Sequence, residues 1–213
     1  MTAEGGAAAP RRPRYPGEGE PGRRLFIAVP FPDDAVAPVV ALVDAVRALG
    51  VPGGGRDVRW VRLDGLHLTL RFIGPTPPER VGPAEDAVRD AARSIAPFDV
   101  GITGAGAFPT PQRPRALWLG IDDGVAAMEA ASRAVDGALV ERGWAADDRP
   151  FRPHLTLARS DGVPAGAAIA TRLIERADEL RIRFRVERIG LFESLTGGGP
   201  ARYEPLAIVD LDG

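Results

Sequence analysis

The tetrapeptide His-Leu-Thr-Leu occurs twice in the chain, at residues 67–70 and 154–157, and the two copies contain both histidines of the protein. The imidazole is the side chain whose ordinary pKa lies near neutral pH. Acid–base chemistry that relies on an ordinary pKa therefore requires His67 and His154. Two identical copies in 213 residues also indicate an internal repeat.

Strand geometry predicts what each copy does. Side chains alternate between the two faces of a strand, so the histidine and the threonine share one face and the two leucines share the other. Two such strands facing each other would place His67, Thr69, His154 and Thr156 around one small cavity. In hydrolysis or transesterification of a phosphodiester, a neutral imidazole accepts a proton from the attacking group and a protonated one donates to the leaving oxygen. Neither role requires a metal ion, and threonine hydroxyls with an arginine would bind the phosphoryl oxygens.

An arginine follows each histidine at short spacing, at Arg71 and at Arg159. Arg159 follows His154 by five residues, so strict alternation puts it on the opposite face unless the strand bends or ends near Ala158. Arg71 follows His67 by four residues and therefore shares its face in a regular strand.

Composition excludes several kinds of chemistry. Cysteine is absent, which excludes a disulfide scaffold, a thiolate zinc site, an iron–sulfur cluster and a cysteine nucleophile. All 27 basic residues are arginine, so a lysine nucleophile is excluded too. The net charge of −2 gives no general attraction for long nucleic acids, so nucleic-acid chemistry would need a local site. No apolar run of roughly 18 residues and no signal peptide are recognised, and we expect a cytoplasmic protein without membrane segments.

Strand and helix patterns alternate in a way that predicts an α+β fold. We expect two pseudo-symmetric lobes of mainly antiparallel sheet with outer helices and an active-site groove between them. Residues 1–22 are predicted to be a disordered tail and residues 23–213 the bilobal domain. The expected strands are 24–31, 58–61, 66–73, 98–108, 115–121, 149–159, 181–194 and 203–211, and the expected helices are 33–49, 79–95, 124–142 and 166–178. Residues 51–56 are expected to be a loop. Within 181–194, the alternation of apolar and polar residues shifts its phase between Val186 and Ile189, which indicates a bulge or a strand covered on both faces.

From Arg23 to Leu211 the chain resembles the RNA 2′,3′-cyclic phosphodiesterases, or 2′-5′ RNA ligases, of the 2H phosphoesterase superfamily. The similarity lies in the order and spacing of RLFIAVPFP, LHLTLRFIG, GAFPTPQRPRALWLGI, FRPHLTLAR and IGLFES, together with Tyr203. It implies one H-x-T-x motif on each lobe and an activity that opens a terminal RNA 2′,3′-cyclic phosphate to a 2′-phosphate.

The resemblance also implies roles for the repeated residues. His67 would be the proton donor and His154 the proton acceptor, while Thr69, Thr156 and Arg159 would bind the phosphate. Arg71 is the alternative to Arg159 as the phosphate ligand. We expect no metal and no cofactor. The expected partner is RNA with a 2′,3′-cyclic phosphate end, such as a tRNA fragment, bound by a monomer without a protein partner.

Few aromatic residues are available to stack on a nucleobase. Phe26 on the first strand and Phe151 just before the second motif are candidates, with core packing as the alternative for each. Trp60, Trp118 and Trp144 are interpreted as packing residues.

Four other hypotheses stay open on the sequence alone. Both histidines could be core residues, although their identical repeats argue against this. The protein could bind RNA ends without turnover, a task that arginine serves better than histidine. The histidines could ligate a metal, but H-x-T-x brings no further histidine or carboxylate at ligand spacing. The same fold could act on ADP-ribose cyclic phosphate or a small cyclic nucleotide, or join RNA ends by the reverse, ATP-independent reaction.

Overall fold

The structure is a computed structural model that describes residues 22–50, 58–161, 164–197 and 199–213. In these ranges the strands are β1 (Arg23–Pro30), β2 (Val58–Trp60), β3 (His67–Thr76), β4 (Phe98–Phe108), β5 (Ala116–Asp123), β6 (His154–Ser160), β7 (Ile182–Val186), β8 (Arg188–Leu195) and β9 (Arg202–Asp210). The helices are α1 (Val36–Ala48), α2 (Val81–Ala92), α3 (Val125–Val140) and α4 (Pro164–Ala177). The tail predicted over 1–22 lies outside the described residues except for Gly22, and the loop predicted over 51–56 lies outside them entirely.

One antiparallel sheet contains all of these strands. Its order is β7-β4-β5-β6-β3-β1-β8-β9, and the short β2 pairs with β6. Strands β3 and β6, which carry the two tetrapeptides, are therefore the central pair, with three further strands on each side. They meet in register at Leu68 and Leu155, the second residue of each copy. The predicted α+β class with mainly antiparallel sheet is confirmed.

Chain order repeats across the centre of the sheet. The series β1, α1, β3 and α2 in the first half corresponds to β5, α3, β6 and α4 in the second. In both series a strand and a helix precede the strand that begins with histidine, and a helix follows it. The short β2, between α1 and β3, has no counterpart. This correspondence gives the tetrapeptide repeat a structural basis, since each copy occupies the same position in its series.

Helices cover the side of the sheet to which the leucines point. Helices α2 and α3 pack on each other and against β8 and β3 respectively, while α1 packs on α4, which lies against β4. Leu68, Leu155 and Leu157 have no exposed surface. Burying a leucine side chain stabilises a fold by about 2 kcal/mol, so the leucines of the repeat hold the two central strands against the helices. No helix in the described part of the chain is both long and apolar enough to cross a membrane.

Two predicted strands differ from the structure. The single strand expected over 181–194 is wrong, because the chain leaves the sheet at Glu187 and continues in a strand of the other half. The phase slip between Val186 and Ile189 therefore marks two strands, β7 and β8. The strand expected over 149–159 begins only at His154, since Pro150 and Pro153 lack the N–H group that a sheet hydrogen bond needs.

Candidate active site

The structure brings the two predicted histidines and the two predicted threonines together at the centre of the sheet. His67 is the first residue of β3 and His154 is the first residue of β6. The strands are antiparallel and pair at Leu68 and Leu155. Along the strands, His67 and Thr156 therefore come just before this pair, and Thr69 and His154 come just after it, as seen in the direction of β3. All four polar side chains are partly exposed, on the side of the sheet opposite the leucines. We call this side the cleft face.

Both imidazoles are held by the same local hydrogen bond. The Nδ1 atom of His67 lies 2.8 Å from the carbonyl oxygen of Gly65, and the Nδ1 atom of His154 lies 2.6 Å from that of Arg152. A carbonyl oxygen only accepts, so Nδ1 carries a hydrogen in each ring. The Nε2 atom of each ring is therefore the one that can exchange a proton with a substrate: it accepts when the ring is neutral and donates when the ring is protonated.

Burial sets the protonation state of both rings. Burial is the largest cause that lowers the pKa of His67 to about 4; the positive charges of Arg159 and His154 contribute to this lowering, and the Gly65 carbonyl opposes it. Burial also lowers the pKa of His154, the Arg152 carbonyl opposes this, and Arg159 again adds to the lowering. Both imidazoles of the free protein are therefore neutral at pH 7.

The low pKa of His67 makes stability depend on pH. Taking about 6.5 in the unfolded chain and about 4 in the fold, the stabilisation is complete above pH 6.5 and is lost as the pH falls toward 4. By this linkage, wild type loses about 2 kcal/mol more than His67→Gln between pH 7.5 and pH 5. Urea unfolding of both proteins at the two pH values measures this difference, in which the other titrating groups cancel. An equal loss in the two proteins would contradict a His67 that stays neutral in the folded protein.

A bulge in β6 places Arg159 on the cleft face. Against β5, Ala158 pairs with Leu117 but Thr156 pairs with Trp118, so Leu157 is an extra residue in the ladder. Leu157 and Ala158 are both fully buried, and the alternation resumes one step later with an exposed Arg159. Without the bulge, strict alternation from His154 would place Arg159 on the opposite face. The bulge therefore supplies the irregularity that brings Arg159 to the cleft face. The charge of Arg159 lowers the pKa of both histidines, so its guanidinium lies within electrostatic range of the two rings.

Arg71 lies on the other side of the sheet, because β3 has the equivalent bulge at Leu70, the residue that precedes Arg71. Its Nε donates to Asp136 of α3 at 2.8 Å, and its guanidinium also pairs with Asp147 at 3.2 Å. Its side chain is 11% exposed. Arg159, in contrast, makes no ion pair with any residue in the described ranges, so its charge is available to an anion in the cleft. Of the two arginines, Arg159 therefore shares the cleft face with the histidines, and Arg71 does not.

The two candidate stacking residues are both packed in the protein. Phe26 is 2% exposed, stacks on Phe192 at a centroid distance of 5.4 Å, and lies 4.7 Å from the His67 ring. Phe151 packs against the main hydrophobic core. Phe72 is 41% exposed and pairs with Phe26 across the strands, so it offers aromatic surface on the cleft face. It stands five residues after His67, the position that Arg159 holds after His154.

Aromatic side chains also contact the second histidine. The Phe108 ring lies 5.1 Å from the His154 ring and the Trp118 ring lies 6.3 Å from it. Trp118 pairs with Thr156 and covers Gly106, where a Cβ would come within 2.4 Å of the indole. The interpretation of Trp118 as only a packing residue therefore missed its place beside His154. A period-two pattern shows which face a residue takes, but not which side chain of a neighbouring strand it meets.

Comparison with known proteins agrees with this architecture. The model of the 2′-5′ RNA ligase superfamily matches residues 31–198. A protein of Methanothermobacter thermautotrophicus named RNA 2′,3′-cyclic phosphodiesterase is 30% identical over 179 residues, which cover 83% of this chain and 93% of that protein. A protein of the same name from Aeropyrum pernix is 34% identical over 166 residues, covering 78% and 90%.

Solved structures show the same fold. The crystal structure of TT0787 of Thermus thermophilus aligns with a TM-score of 0.67 at 26% identity, over 89% of this chain and 98% of that one. The apo form of E. coli LigT aligns with a TM-score of 0.65 at 25% identity, over 90% and 98%. The family model spans most of the chain, including both His-Leu-Thr-Leu copies and Arg159. The protein belongs to the 2′-5′ RNA ligase superfamily.

Proposed function

We propose that the protein is an RNA 2′,3′-cyclic phosphodiesterase, a hydrolase that opens a terminal RNA 2′,3′-cyclic phosphate to a 2′-phosphomonoester without a metal ion. Relatives with this name that align over most of their length support the activity. The observation that carries the mechanism is the pair of imidazoles at the centre of the sheet, each with Nδ1 bound to a carbonyl and Nε2 left for the substrate.

In-line displacement at phosphorus needs an acid and a base on opposite sides of the phosphate. The attacking water approaches opposite the leaving 3′ oxygen, so one imidazole takes the proton of the water and the other gives a proton to that oxygen. Histidines that lie on two different central strands, on either side of the Leu68–Leu155 pair, suit this arrangement. By motif position His67 is the donor and His154 the acceptor.

The negative charge of the substrate favours protonation of one imidazole, which takes its proton from the solvent. Both imidazoles are neutral in the free protein at pH 7, whereas the reaction needs one protonated ring. A bound phosphate diester carries a negative charge that opposes the desolvation of an imidazolium and raises its pKa. Substrate binding is therefore coupled to the uptake of a proton by His67. The charge of Arg159 then neutralises the developing charge on the non-bridging oxygens.

The two threonines are expected to donate hydrogen bonds to the same oxygens. Thr69→Ala and Thr156→Ala each remove one hydroxyl, which lowers kcat/KM by about 5- to 150-fold, the range that corresponds to about 1–3 kcal/mol of transition-state binding. Serine at either position keeps the hydroxyl and retains most of the activity. Steady-state kinetics of the four variants measure the effect, with the exposed Thr171→Ala on α4 as the matched control. Alanine variants as active as this control would exclude the hydroxyls from phosphate binding.

The proposed function is tested with an RNA oligonucleotide that ends in a 2′,3′-cyclic phosphate, in excess EDTA. Chromatography against 2′-phosphate and 3′-phosphate standards identifies the product. We expect the 2′-phosphate only, at a rate that EDTA does not change. Activity that EDTA abolishes would overturn the metal-independent mechanism, and a 3′-phosphate product would overturn the regiochemistry.

Two further substrates separate this function from its alternatives. Turnover of 2′,3′-cyclic AMP or ADP-ribose cyclic phosphate at a higher kcat/KM than the oligonucleotide would favour a small-molecule phosphoesterase. Binding of the oligonucleotide without turnover of any of the three would favour an RNA-end-binding module.

A further inference from the structure

Tyr203 belongs to the last strand of the sheet, yet its ring lies beside the first histidine. It pairs with Ser194 across β8 and β9. The centroid of its ring is 4.7 Å from that of His67 at an interplanar angle of 82°, and 5.2 Å from that of Phe26 at 78°. The edge-to-face arrangement is one of the two preferred packings of aromatic rings, and in this position the phenol ring limits the rotation of the imidazole.

The same ring also packs against the residue that orients His67. A Cβ built on Gly65 would come within 3.1 Å of the Tyr203 ring, closer than ordinary van der Waals contact. The carbonyl of Gly65 accepts the hydrogen bond from Nδ1 of His67. One side chain thus contacts both the imidazole and the residue that accepts its hydrogen bond.

A small hydrophobic cluster supports Tyr203 in this place. Phe26, Ala28 and Phe192 form a buried cluster that is separate from the main core, and Tyr203 packs against it. Ala28 pairs with Thr69 across the strands, and directly paired residues share a face, so this cluster lies on the cleft face beneath His67. The cluster and Tyr203 together keep water away from one side of the imidazole.

We propose that Tyr203 is a positioning residue for His67: its ring fixes the plane of the imidazole and shields it from water, with Nε2 left facing the substrate. The proposal rests on the proposed function only where activity is the readout. The geometry assigns this task to the ring, because the contacts that carry it are ring contacts with His67, Gly65 and Phe26.

The two halves of the site provide a matched control. His154 has an edge-to-face ring of its own, Phe108, at 5.1 Å and 84°. Phe108 belongs to β4, which lies on the β6 side of the sheet, whereas Tyr203 belongs to β9, which lies on the β3 side. A leucine at either position removes one ring and leaves the other histidine's surroundings unchanged.

The test is an NMR titration of the free protein, in which the two histidines give separate Hε1 signals. In Tyr203→Leu we expect the His67 titration midpoint to rise by at least about 1 pH unit toward its ordinary value while His154 stays fixed, since exposure to water restores the charged form. Phe108→Leu should move His154 and leave His67 fixed. Gly65→Ala, which presses on the Tyr203 ring, should move His67 in the same direction and serves if Tyr203→Leu does not fold.

Activity completes the test. Tyr203→Phe keeps the ring, and we expect a kcat within about threefold of wild type, whereas Tyr203→Leu should lose about tenfold or more because the imidazole is no longer aligned. A His67 midpoint that does not move in Tyr203→Leu and in Gly65→Ala would overturn the proposal. A loss in Tyr203→Phe as large as in Tyr203→Leu would also overturn it, because the hydroxyl would then be the functional group. The titration requires no substrate, so it decides the positioning role even if the proposed activity fails.

Discussion

Replacing either histidine by alanine is expected to reduce kcat on a cyclic-phosphate RNA by at least about 100-fold, with the fold retained. Each general acid or base step contributes about 10²–10⁴ to a rate, and the chain has only two histidines to supply the two steps. Both rings are partly exposed at the cleft face, and the leucines on the opposite side of the strands hold the sheet to its helices. His67→Ala and His154→Ala therefore remove the acid and base groups and leave the packing of the leucines against the helices in place.

Single-turnover kinetics and pH profiles check this result. Wild type should give a bell-shaped dependence of kcat/KM, with both limbs set by histidine and the maximum below pH 6.5, because burial lowers the pKa of both rings in the free protein. Each variant should lose one limb. Circular dichroism and thermal unfolding at pH 7.5 show whether the fold is intact. A variant within tenfold of wild type would show that the replaced histidine is neither acid nor base.

The sequence was sufficient to predict that the two histidines lie together with the two threonines, because the relevant signal is local. Two copies of one tetrapeptide, combined with the alternation of side chains in a strand, place His67 with Thr69 and His154 with Thr156. The apolar second and fourth positions of the tetrapeptide predict the buried face, and Leu68 and Leu155 do form the central pair of the sheet. The α+β class follows similarly from the mixture of strand and helix patterns.

Other parts of the site depend on which strands become neighbours. The bulge at Leu157 appears only in the pairing of β6 with β5, and it decides on which face Arg159 lies. Leucine and alanine are both common on buried strands, so the sequence Leu157-Ala158 is equally consistent with regular alternation and with a bulge. Tyr203 is separated from His67 by more than half of the chain and reaches it only through β8 and β1. No local pattern reports such a contact.

The symmetry of the sheet extends to both bulges but not to the residues that follow them. Each strand gains one residue directly after its threonine, at Leu70 and at Leu157, and each then presents on the cleft face the side chain five residues after its histidine. In the second half this side chain is the cation Arg159, and in the first half it is the aromatic Phe72. The two equivalent strands thus present one cationic and one aromatic side chain on the cleft face, which under the proposed function would serve the phosphate and the base of a nucleotide.

Removal of the positive charge of Arg159 is the second change for which we expect a large effect on activity. Arg159→Met should lower kcat/KM by about 10²–10³, the usual result of removing one group that stabilises transition-state charge, with little change in the free energy of unfolding. Arg71→Met is the matched control, because it should lower the free energy of unfolding by about 1–3 kcal/mol through the loss of its bonds to Asp136 and Asp147. The kinetic effect of Arg71→Met should be the smaller of the two.

An NMR titration separates a role of Arg159 in the cleft from a general structural one. The charge of Arg159 lowers the pKa of both His67 and His154 in the free protein, so both titration midpoints should rise in Arg159→Met and stay fixed in Arg71→Met. Inorganic phosphate should raise both midpoints in wild type, and less in Arg159→Met, since the anion has lost its main cationic partner. If Arg71→Met instead lost the greater part of kcat/KM and Arg159→Met remained near wild type, the bulge in β6 would not place Arg159 at the phosphate. The phosphate ligand would then have to come from β3.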